Sequence, residues 1–307
     1  MLNEEGLNRR GFLHCMRWAG TGLVWTVAAG VPVSHLMGKK KENAVTGGFS
    51  FIQISDSHIG FNKDANPDVA ATLQEAIAKI NAAPEPPEFL IHTGDITHFA
   101  KPAEFDAAAE ILKGAKSKEV FYVPGEHDVL ADQGKQYLER YAGGRERGWY
   151  SFDHKGVHFI GLVNVLGMKE GWGTLGDEQL TWLERDLAVQ SSSTPIIVFA
   201  HIPLWAIYPQ WGWTTGDSER ALTALKRFGS VTVLNGHIHQ TMQKVEGNMT
   251  FHTAMSTAFP QPKPGTAAGP GPMKVPEEQL RSMLGLTSVK YVQSQSALAL
   301  VDSALAS

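Results

Sequence analysis

The chain has 307 residues, of which 43% are hydrophobic and 19% are charged, so it can bury a sizeable core in one large or two ordinary domains. Its formal net charge is −4 and its only basic run is residues 39–41, which excludes the clustered Lys and Arg of a surface for duplex nucleic acid. The single cysteine, Cys15, leaves the remainder of the chain without a disulfide or a cysteine-based zinc site.

Residues 1–38 are predicted to be a signal or anchor segment. Residues 8–13 read Asn-Arg-Arg-Gly-Phe-Leu, and residues 18–37 contain no Asp, Glu, Lys or Arg. This pattern resembles a twin-arginine export signal, which implies the twin-arginine export machinery as a partner and a periplasmic or secreted location. The alternative is a membrane anchor, because an uncharged stretch of this length just spans a bilayer and the small residues at 27–30 form no clear cleavage site.

Residues 48–303 are predicted to form one domain in which strands and helices alternate, the pattern of a layered α/β fold. The predicted strands cover residues 49–54, 88–92, 120–123, 149–153, 157–163, 196–200, 231–234, 242–245, 249–253 and 298–301. The predicted helices cover residues 68–80, 103–113, 136–141, 177–189, 218–228 and 277–284. Residues 260–276 are rich in Pro and Gly and are predicted to form an irregular surface segment.

Five of these predicted strands end in residues that commonly ligate metals. These residues are Asp56 and His58, Asp95, Glu126 and His127, His201, and His237 and His239. Because ligands of open α/β sheets bind beyond the carboxyl ends of the strands, we expect the side chains to converge. Residues i and i+2 of extended backbone point the same way, so Asp56 and His58 are predicted to hold one ion, and His237 and His239 the same or an adjacent ion. Mixed carboxylate and imidazole ligation suits Mn, Fe, Zn or Co better than Ca or Mg.

The predicted strand at residues 120–123 is followed by the most informative of these strand ends. Its β-branched and aromatic residues predict a strand covered on both faces. Pro124 ends the ladder, and Gly125 allows a tight turn or a close approach of the backbone to a ligand. Residues 126–128, Glu-His-Asp, are then expected at the rim of the site.

Five motifs in order, Asp-x-His, Gly-Asp, Gly-x-His-Asp, Val-x-x-His and Gly-His-x-His, are similar to those of the calcineurin-like metallophosphoesterases. The resemblance spans residues 52–239, and residues 54–60 most resemble the branch that contains the class III cyclic nucleotide phosphodiesterases. The family implies a four-layer αββα sandwich, in which two packed mixed β-sheets are flanked by helices. It also implies hydrolysis of a phosphomonoester or phosphodiester, nucleotide-like esters among them, by a hydroxide that bridges two metal ions.

The resemblance also implies a role for each strand-end residue. Asp95 would bridge two divalent or mixed-valence ions of Fe, Mn or Zn. The first ion would be held by Asp56, His58 and His239, and the second by His201 and His237. His127 would stand off the metals, where it would contact the substrate phosphate or protonate the leaving oxygen.

Glu126 departs from the family pattern, which has Asn at this position. With Asp56 and Asp95, Glu126 brings three negative charges against the four positive charges of two divalent ions, leaving +1. We expect Glu126 to ligate the second metal, with three consequences open: a trivalent ion, an altered substrate, or loss of hydrolysis. The last consequence defines the alternative function, a noncatalytic metal- or ligand-binding protein on the same scaffold.

Two possible roles are open for several other residues near these motifs. His92 lies inside a predicted strand and is expected in the core or behind the ligands, whereas His98 could face the cleft. Residues 203–213 contain three tryptophans and a tyrosine directly after His201. These aromatic side chains either stack on a substrate group or plug the end of the sandwich.

Overall fold

The computed structural model describes residues 22–28, 31–37, 48–117, 119–168, 171–292 and 298–306. The chain divides into two compact units, Met1–Thr46 and Gly47–Ser307. In the first unit β1 (Gly22–Ala28) pairs antiparallel with β2 (Val31–Met37), while the predicted twin-arginine residues 8–13 lie outside the described residues. Over the ranges that the structure describes, no helix combines the length and the apolarity needed to cross a bilayer.

The second unit contains a five-stranded mixed sheet. Its strands are β3 (Phe49–Ile54), β4 (Leu90–His92), β5 (Val120–Tyr122), β12 (Gly285–Tyr291) and β13 (Ala299–Ala304). The strand order is β13-β12-β3-β4-β5. The strands β3, β4 and β5 are parallel, whereas β12 runs antiparallel to both of its neighbours.

A six-stranded mixed sheet packs against the five-stranded sheet. Its strands are β6 (Tyr150–His154), β7 (Val157–Gly161), β8 (Ile196–Phe199), β9 (Val231–Asn235), β10 (Gln243–Glu246) and β11 (Met249–Thr253). In the order β10-β11-β9-β8-β7-β6 the four inner strands are parallel, and each edge strand closes an antiparallel hairpin.

Helices cover the outer faces of the two sheets. They are α1 (Val69–Asn81), α2 (Pro102–Leu112), α3 (Lys135–Tyr141), α4 (Asp177–Ala188), α5 (Ser218–Leu225) and α6 (Glu277–Met283). One apolar cluster joins α1 and α2 to the five-stranded sheet, and another joins α4 and α5 to the six-stranded sheet. The four-layer sandwich predicted from the family resemblance is therefore confirmed.

Strand residues alternate between the two kinds of interface. Phe51 and Phe159 meet edge to face between the sheets, with ring centroids 5.6 Å apart. Their neighbours Ile52 and Ile160 point outward into the clusters beneath the helices. Because both faces of the central strands are buried, the register of both sheets is fixed, which sets the positions of the loops that follow the strands.

One feature of the five-stranded sheet differs from the prediction. The strand β12 was not predicted, because its sequence Gly-Leu-Thr-Ser-Val-Lys-Tyr mixes small, polar and charged residues and lacks an apolar run. It nevertheless pairs along β3 from Thr287 to Tyr291. The strand β5 packs on both faces, as predicted, with Val120 and Tyr122 against the cluster beneath the helices and Phe121 against the cluster between the sheets. It is nevertheless an edge strand, and its residues are only partly buried.

Candidate metal centre

Three of the predicted ligands form a first donor cluster, Asp56, His58 and His239. The Nε2 atom of His239 lies 3.2 Å from Nε2 of His58 and 3.3 Å from Oδ1 of Asp56. All three side chains are buried, and one donor atom from each lies within 4.8 Å of the others. Buried carboxylate and imidazole groups at this spacing match the donor set of a transition-metal ion.

A second donor cluster consists of Glu126, His201 and His237. The two carboxylate oxygens of Glu126 divide between the histidines, with Oε2 2.8 Å from Nε2 of His201 and Oε1 2.9 Å from Nδ1 of His237. His201 is fully buried, whereas Glu126 and His237 retain some exposure. Glu126 therefore lies in register with the histidines despite its departure from the family pattern.

Asp95 lies between the two donor clusters. Its Oδ2 atom is 3.5 Å from Nε2 of His58 in the first cluster and 3.4 Å from Nε2 of His201 in the second. Its Oδ1 atom accepts a hydrogen bond of 2.9 Å from the backbone N–H of His127. One carboxylate thus touches both clusters and also fixes the loop that carries His127.

The backbone at these residues is left-handed rather than extended. Positive φ angles occur at Asp56 (54°), His58 (42°), Asp95 (52°), His237 (70°) and His239 (55°). The prediction that residues i and i+2 point the same way along an extended strand was therefore wrong in its geometry, and His237 and His239 reach different clusters. A left-handed non-glycine residue costs roughly 1–2 kcal/mol, and such strain concentrates at functional sites.

Backbone carbonyl groups orient two of the imidazole rings. The Nδ1–H of His201 donates to the carbonyl oxygen of Thr93 at 2.7 Å, and the Nδ1–H of His239 donates to that of Phe259 at 2.6 Å. Each bond fixes the ring and leaves Nε2 as the basic atom that faces the clusters.

Glycine is required where the backbone crowds the clusters. A Cβ atom at Gly125 would overlap the carboxylate of Asp95, and one at Gly236 would lie 2.7 Å from Oδ2 of Asp56. Any side chain at these positions would displace the carboxylates, which agrees with the predicted close approach at Gly125.

His127 lies beside both clusters on a short 3₁₀ turn, Glu126–Asp128. Its Nδ1–H donates to the carbonyl oxygen of His98 at 2.8 Å, and the two imidazole rings stack with centroids 4.7 Å apart. Burial lowers the pKa of His127, but Asp95 and Glu126 outweigh burial and raise it overall. With its Nδ1–H engaged, Nε2 is the other ring nitrogen of His127 that can carry a proton.

Asp128 is fully buried, so its predicted place at the rim was wrong. Its carboxylate accepts hydrogen bonds from the backbone N–H groups of Gly125, Ile96 and Thr97, at 2.9, 3.1 and 2.8 Å, and from the hydroxyl of Thr97 at 2.9 Å. Burial and then the nearby Asp95 raise its pKa to about 7, although the three N–H groups favour the carboxylate. Asp128 ties the loop after β4 to the loop after β5.

Of the two other histidines of this region, His92 lies in the interior, whereas His98 is partly exposed and packs on His127 and His58. His92 is fully buried, with its Nε2 atom 3.0 Å from the hydroxyl of Ser57, and burial lowers its pKa to about 3. The Nδ1 atom of His98 lies 3.2 Å from Nδ1 of His58, on the opposite side of that ring from the first cluster. Burial and His127 lower the pKa of His98 to about 4.

The aromatic segment after His201 mainly closes the end of the sandwich. Trp213 is fully buried, and Trp205 packs on Phe251 with ring centroids 5.1 Å apart. Trp211 is partly exposed and meets Trp213 edge on. The core interpretation therefore holds for Trp205 and Trp213, whereas stacking on a substrate group stays a prediction for Trp211.

Unpaired polar atoms test whether metal ions fit these clusters. In the part of the chain that the structure describes, Oε2 of Glu126, Nε2 of His201 and both ring nitrogens of His237 are buried and form no hydrogen bond of acceptable geometry. Burial opposes charge on both partners, yet His237 and His201 lower the pKa of Glu126, and Asp95 and Glu126 raise that of His201. Buried polar atoms without partners carry a large energetic cost, and a divalent cation would satisfy them, so the donor set fits a metal.

Comparison with known proteins places these features in a family context. Residues 49–241 match the family described as calcineurin-like phosphoesterase. The chain is 29% identical over 217 residues to a probable glycerophosphodiester phosphodiesterase, GpdQ, of Arcobacter nitrofigilis, with 67% of this chain and 77% of that protein covered. It is 26% identical over 222 residues to a probable cyclic nucleotide phosphodiesterase of Rhodococcus erythropolis, with coverages of 68% and 71%. The crystal structure of a dimetal phosphatase from Danio rerio has the same fold, with a TM-score of 0.63 at 14% identity and coverages of 84% and 96%.

Proposed function

Because the chain belongs to the calcineurin-like phosphoesterase family, whose members hydrolyse phosphoester bonds, we propose that it is a dinuclear metallophosphoesterase. The family match confirms the family resemblance drawn from the five sequence motifs. The observation that supports two metals is the position of Asp95, which lies within 3.5 Å of both donor clusters. The noncatalytic alternative rests on Glu126 alone, and the arrangement of His127 beside both clusters favours catalysis.

Each donor cluster would hold one cation of Fe, Mn or Zn. The ligands would be Asp56, His58 and His239 for the first, Glu126, His201 and His237 for the second, and Asp95 for both. When bound, two such cations lower the pKa of a water nucleophile and offset the charge of phosphate oxygens. Asp95 is the residue on which both sites depend, because no other carboxylate oxygen lies this close to a histidine of each cluster within the described ranges.

His127 would act as the proton donor of the reaction. Its Nδ1–H is bound to the carbonyl oxygen of His98, so the acidic proton that can move is the one on Nε2. With a proton on Nε2, the ring can donate to a phosphoryl oxygen or to the leaving oxygen. Asp128 positions the turn that presents His127, without contact of its own with the substrate.

Glu126 would be a ligand of the second metal and would not disrupt the binding of that metal. Its support is the placement of both carboxylate oxygens within 3 Å of His201 and His237. We expect Glu126→Gln to keep two ions per chain, because the amide oxygen can still coordinate, and Glu126→Ala to keep one. Elemental analysis of purified protein measures both, and a Glu126→Ala variant with two ions would remove Glu126 from the ligand set.

Hydrolysis of model esters tests the proposed activity. Both curated relatives are named for phosphodiesters, so we expect bis(p-nitrophenyl) phosphate to be hydrolysed in the presence of Mn²⁺, with p-nitrophenyl phosphate as the monoester comparison. His127→Ala should lower kcat by about 10²–10⁴-fold, the usual contribution of general acid–base catalysis. His154→Ala, which alters a histidine on β6 outside the clusters, is the matched control. Activity that survives both a chelator and His127→Ala would contradict the proposal.

Export by the twin-arginine route is a separate proposal, supported by residues 8–13 and the uncharged stretch that follows them. A folded and metal-loaded protein would then reach the periplasm, or would stay anchored to the membrane if the segment were uncleaved. Replacing Arg9 and Arg10 together by Lys should retain the protein in the cytoplasmic fraction, whereas a replacement of Lys39 and Lys40 by Arg should not. Equal export of the two variants would rule out this route.

A further inference from the structure

A cavity of about 520 Å³ adjoins the first donor cluster. Its walls come from the loop after β9, from the irregular segment 260–276 and from the end of α6. The residues that give it its character are His239, Gln240, Met255, Pro260, Met273 and Met283. This volume is within the range of cavities that bind small organic molecules.

The cavity and the first donor cluster share one residue, His239. The Nε2 atom of this residue lies 3.3 Å from Oδ1 of Asp56, and the same residue lines the cavity. Phe259 packs on the rings of His58 and His239, with centroids 4.7 and 4.8 Å away, and leads directly into Pro260. A phosphoester anchored at the first cluster therefore has this cavity next to it.

Most of the cavity surface that could contact a ligand is apolar. Three methionine side chains and a proline contribute flexible or rigid hydrocarbon surface, and methionine adapts to irregular apolar shapes. Hydrogen-bond donors of four polar lining residues are already used inside the protein: Gln240 donates to Pro262 O, Gln261 to His237 O, Thr266 to Lys263 O and Ser282 to Gln279 O. Among the described lining residues, only Lys263 carries a formal charge, and its side chain is exposed.

We propose that this methionine cavity holds an apolar organic group, alkyl or aryl, of the phosphoester substrate. Apart from the exposed Lys263, the side-chain donors named above are already engaged inside the protein, so the polar atoms of a sugar or a nucleobase would lose hydrogen bonds there, which costs affinity. An apolar group loses little on desolvation and gains about fourfold in affinity for each buried methylene. The proposal rests on the proposed function, because the phosphate must be anchored at the metal centre for its substituent to reach the cavity.

Two phosphonates that are not hydrolysed separate the anchor from the cavity. Methylphosphonate reports binding at the metal centre, and hexylphosphonate adds a chain that can enter the cavity. With the Mn²⁺-loaded protein, isothermal titration calorimetry should show hexylphosphonate binding at least tenfold more tightly than methylphosphonate. The variants are Met273→Gln with Met283→Gln, which makes the wall polar at similar volume, and Met273→Leu with Met283→Leu, which keeps it apolar.

The Leu pair is expected to preserve the preference for hexylphosphonate, and the Gln pair to reduce it to within about threefold, while methylphosphonate binds equally to all three proteins. Equal affinities of the two phosphonates for the unaltered protein would overturn the proposal, and would mean that the cavity is closed to the substrate or covered by another part of the chain or a second copy. A Gln pair that keeps the full preference would overturn it as well. If methylphosphonate does not bind at all, the metal-anchored phosphate site fails and this proposal fails with it.

Discussion

The negative charge of Glu126 should weaken the binding of anionic ligands, so its removal should strengthen that binding by an amount that can be calculated. Two divalent ions and three carboxylates leave +1 at the centre, whereas Glu126→Gln leaves +2 while it keeps an oxygen donor between His201 and His237. We therefore expect inorganic phosphate to inhibit Glu126→Gln more strongly than the unaltered protein. The effect is electrostatic and should shrink as the ionic strength rises.

The magnitude follows from the position of the carboxylate. Its oxygens lie 2.8 and 2.9 Å from ring nitrogens of the second cluster, so a bound phosphate would lie roughly 4 Å away. One unit charge at about 4 Å contributes about 1 kcal/mol in water and about 4 kcal/mol near a protein surface. The side chain of Glu126 is 23% exposed, which places the effect between these limits. We expect the inhibition constant of phosphate to fall by about 10- to 100-fold.

The assay is competitive inhibition of bis(p-nitrophenyl) phosphate hydrolysis by inorganic phosphate at fixed ionic strength, with the metal content of each protein measured in parallel. Glu184→Gln is the matched control, because it removes a carboxylate that pairs with Arg220 on the outer helices. An unchanged inhibition constant for Glu126→Gln, with two ions still bound, would refute the reasoning about charge at the centre.

Three further predictions concern stability. Asp128→Ala should lower the free energy of unfolding by about 3 kcal/mol, because it leaves several buried N–H groups without an acceptor. Urea denaturation measures this loss. A change below about 0.5 kcal/mol would show that the two loops do not depend on Asp128. Trp213→Ala should cost about 3–5 kcal/mol because it empties a fully buried site, and a preserved melting temperature would contradict the core role of this ring. Burial lowers the pKa of His158, but Asp186 and Asp153 outweigh it and raise the pKa above 6.5. The contribution of His158 to stability is therefore complete below pH 6.5 and is lost as the pH rises through the raised pKa. The melting temperature should thus fall more between pH 6 and pH 9 in the unaltered protein than in His158→Gln. Parallel pH profiles of the two proteins would exclude the pairing of His158 with Asp186 and Asp153 as the cause.

The convergence of the strand-end carboxylates and imidazoles could be predicted from sequence because their signal is local. Each apolar strand stops at a short run of Gly or Pro and ionisable residues, and the parallel strands of each sheet bring such runs to one edge. The same local signal predicted a tight turn or a close approach to a ligand at Gly125, and the structure brings this residue against the carboxylate of Asp95. The division of the ligands into two clusters came from the family resemblance, and the geometry around Asp95 agrees with it.

The local conformation at the ligands could not be predicted, because contacts between distant loops determine it. The backbone N–H of Asp56 donates to the carbonyl of Gly94, and that of His58 donates to the carbonyl of Asp95, each at 2.9 Å. These bonds hold the loop after β3 against the loop after β4, and the backbone is left-handed at both Asp56 and His58. The backbone of an extended strand does not show such bonds, so Asp56 and His58 were correctly predicted to lie together although their backbone conformation was not.

Burial that depends on distant segments was missed for the same reason. Asp128 follows two residues that face the cleft, and its sequence gives no sign that Ile96 and Thr97 donate to it across the site. The strand β12 has a mixed sequence and is stabilised by its pairing with β3, more than 230 residues earlier in the chain. The irregular character of residues 260–276 was predicted, but the methionine cavity that they help to form was not.

The number of metal ions per chain tests the central claim most directly. Elemental analysis of the protein, purified with Mn²⁺ or Fe supplied during expression, should give two ions per chain in the hydrolytically active form. His239→Ala and Glu126→Ala should each reduce this number, since they remove a donor from different clusters. One ion per chain in a fully active protein, unchanged by one of the two substitutions, would contradict a dinuclear centre bridged by Asp95.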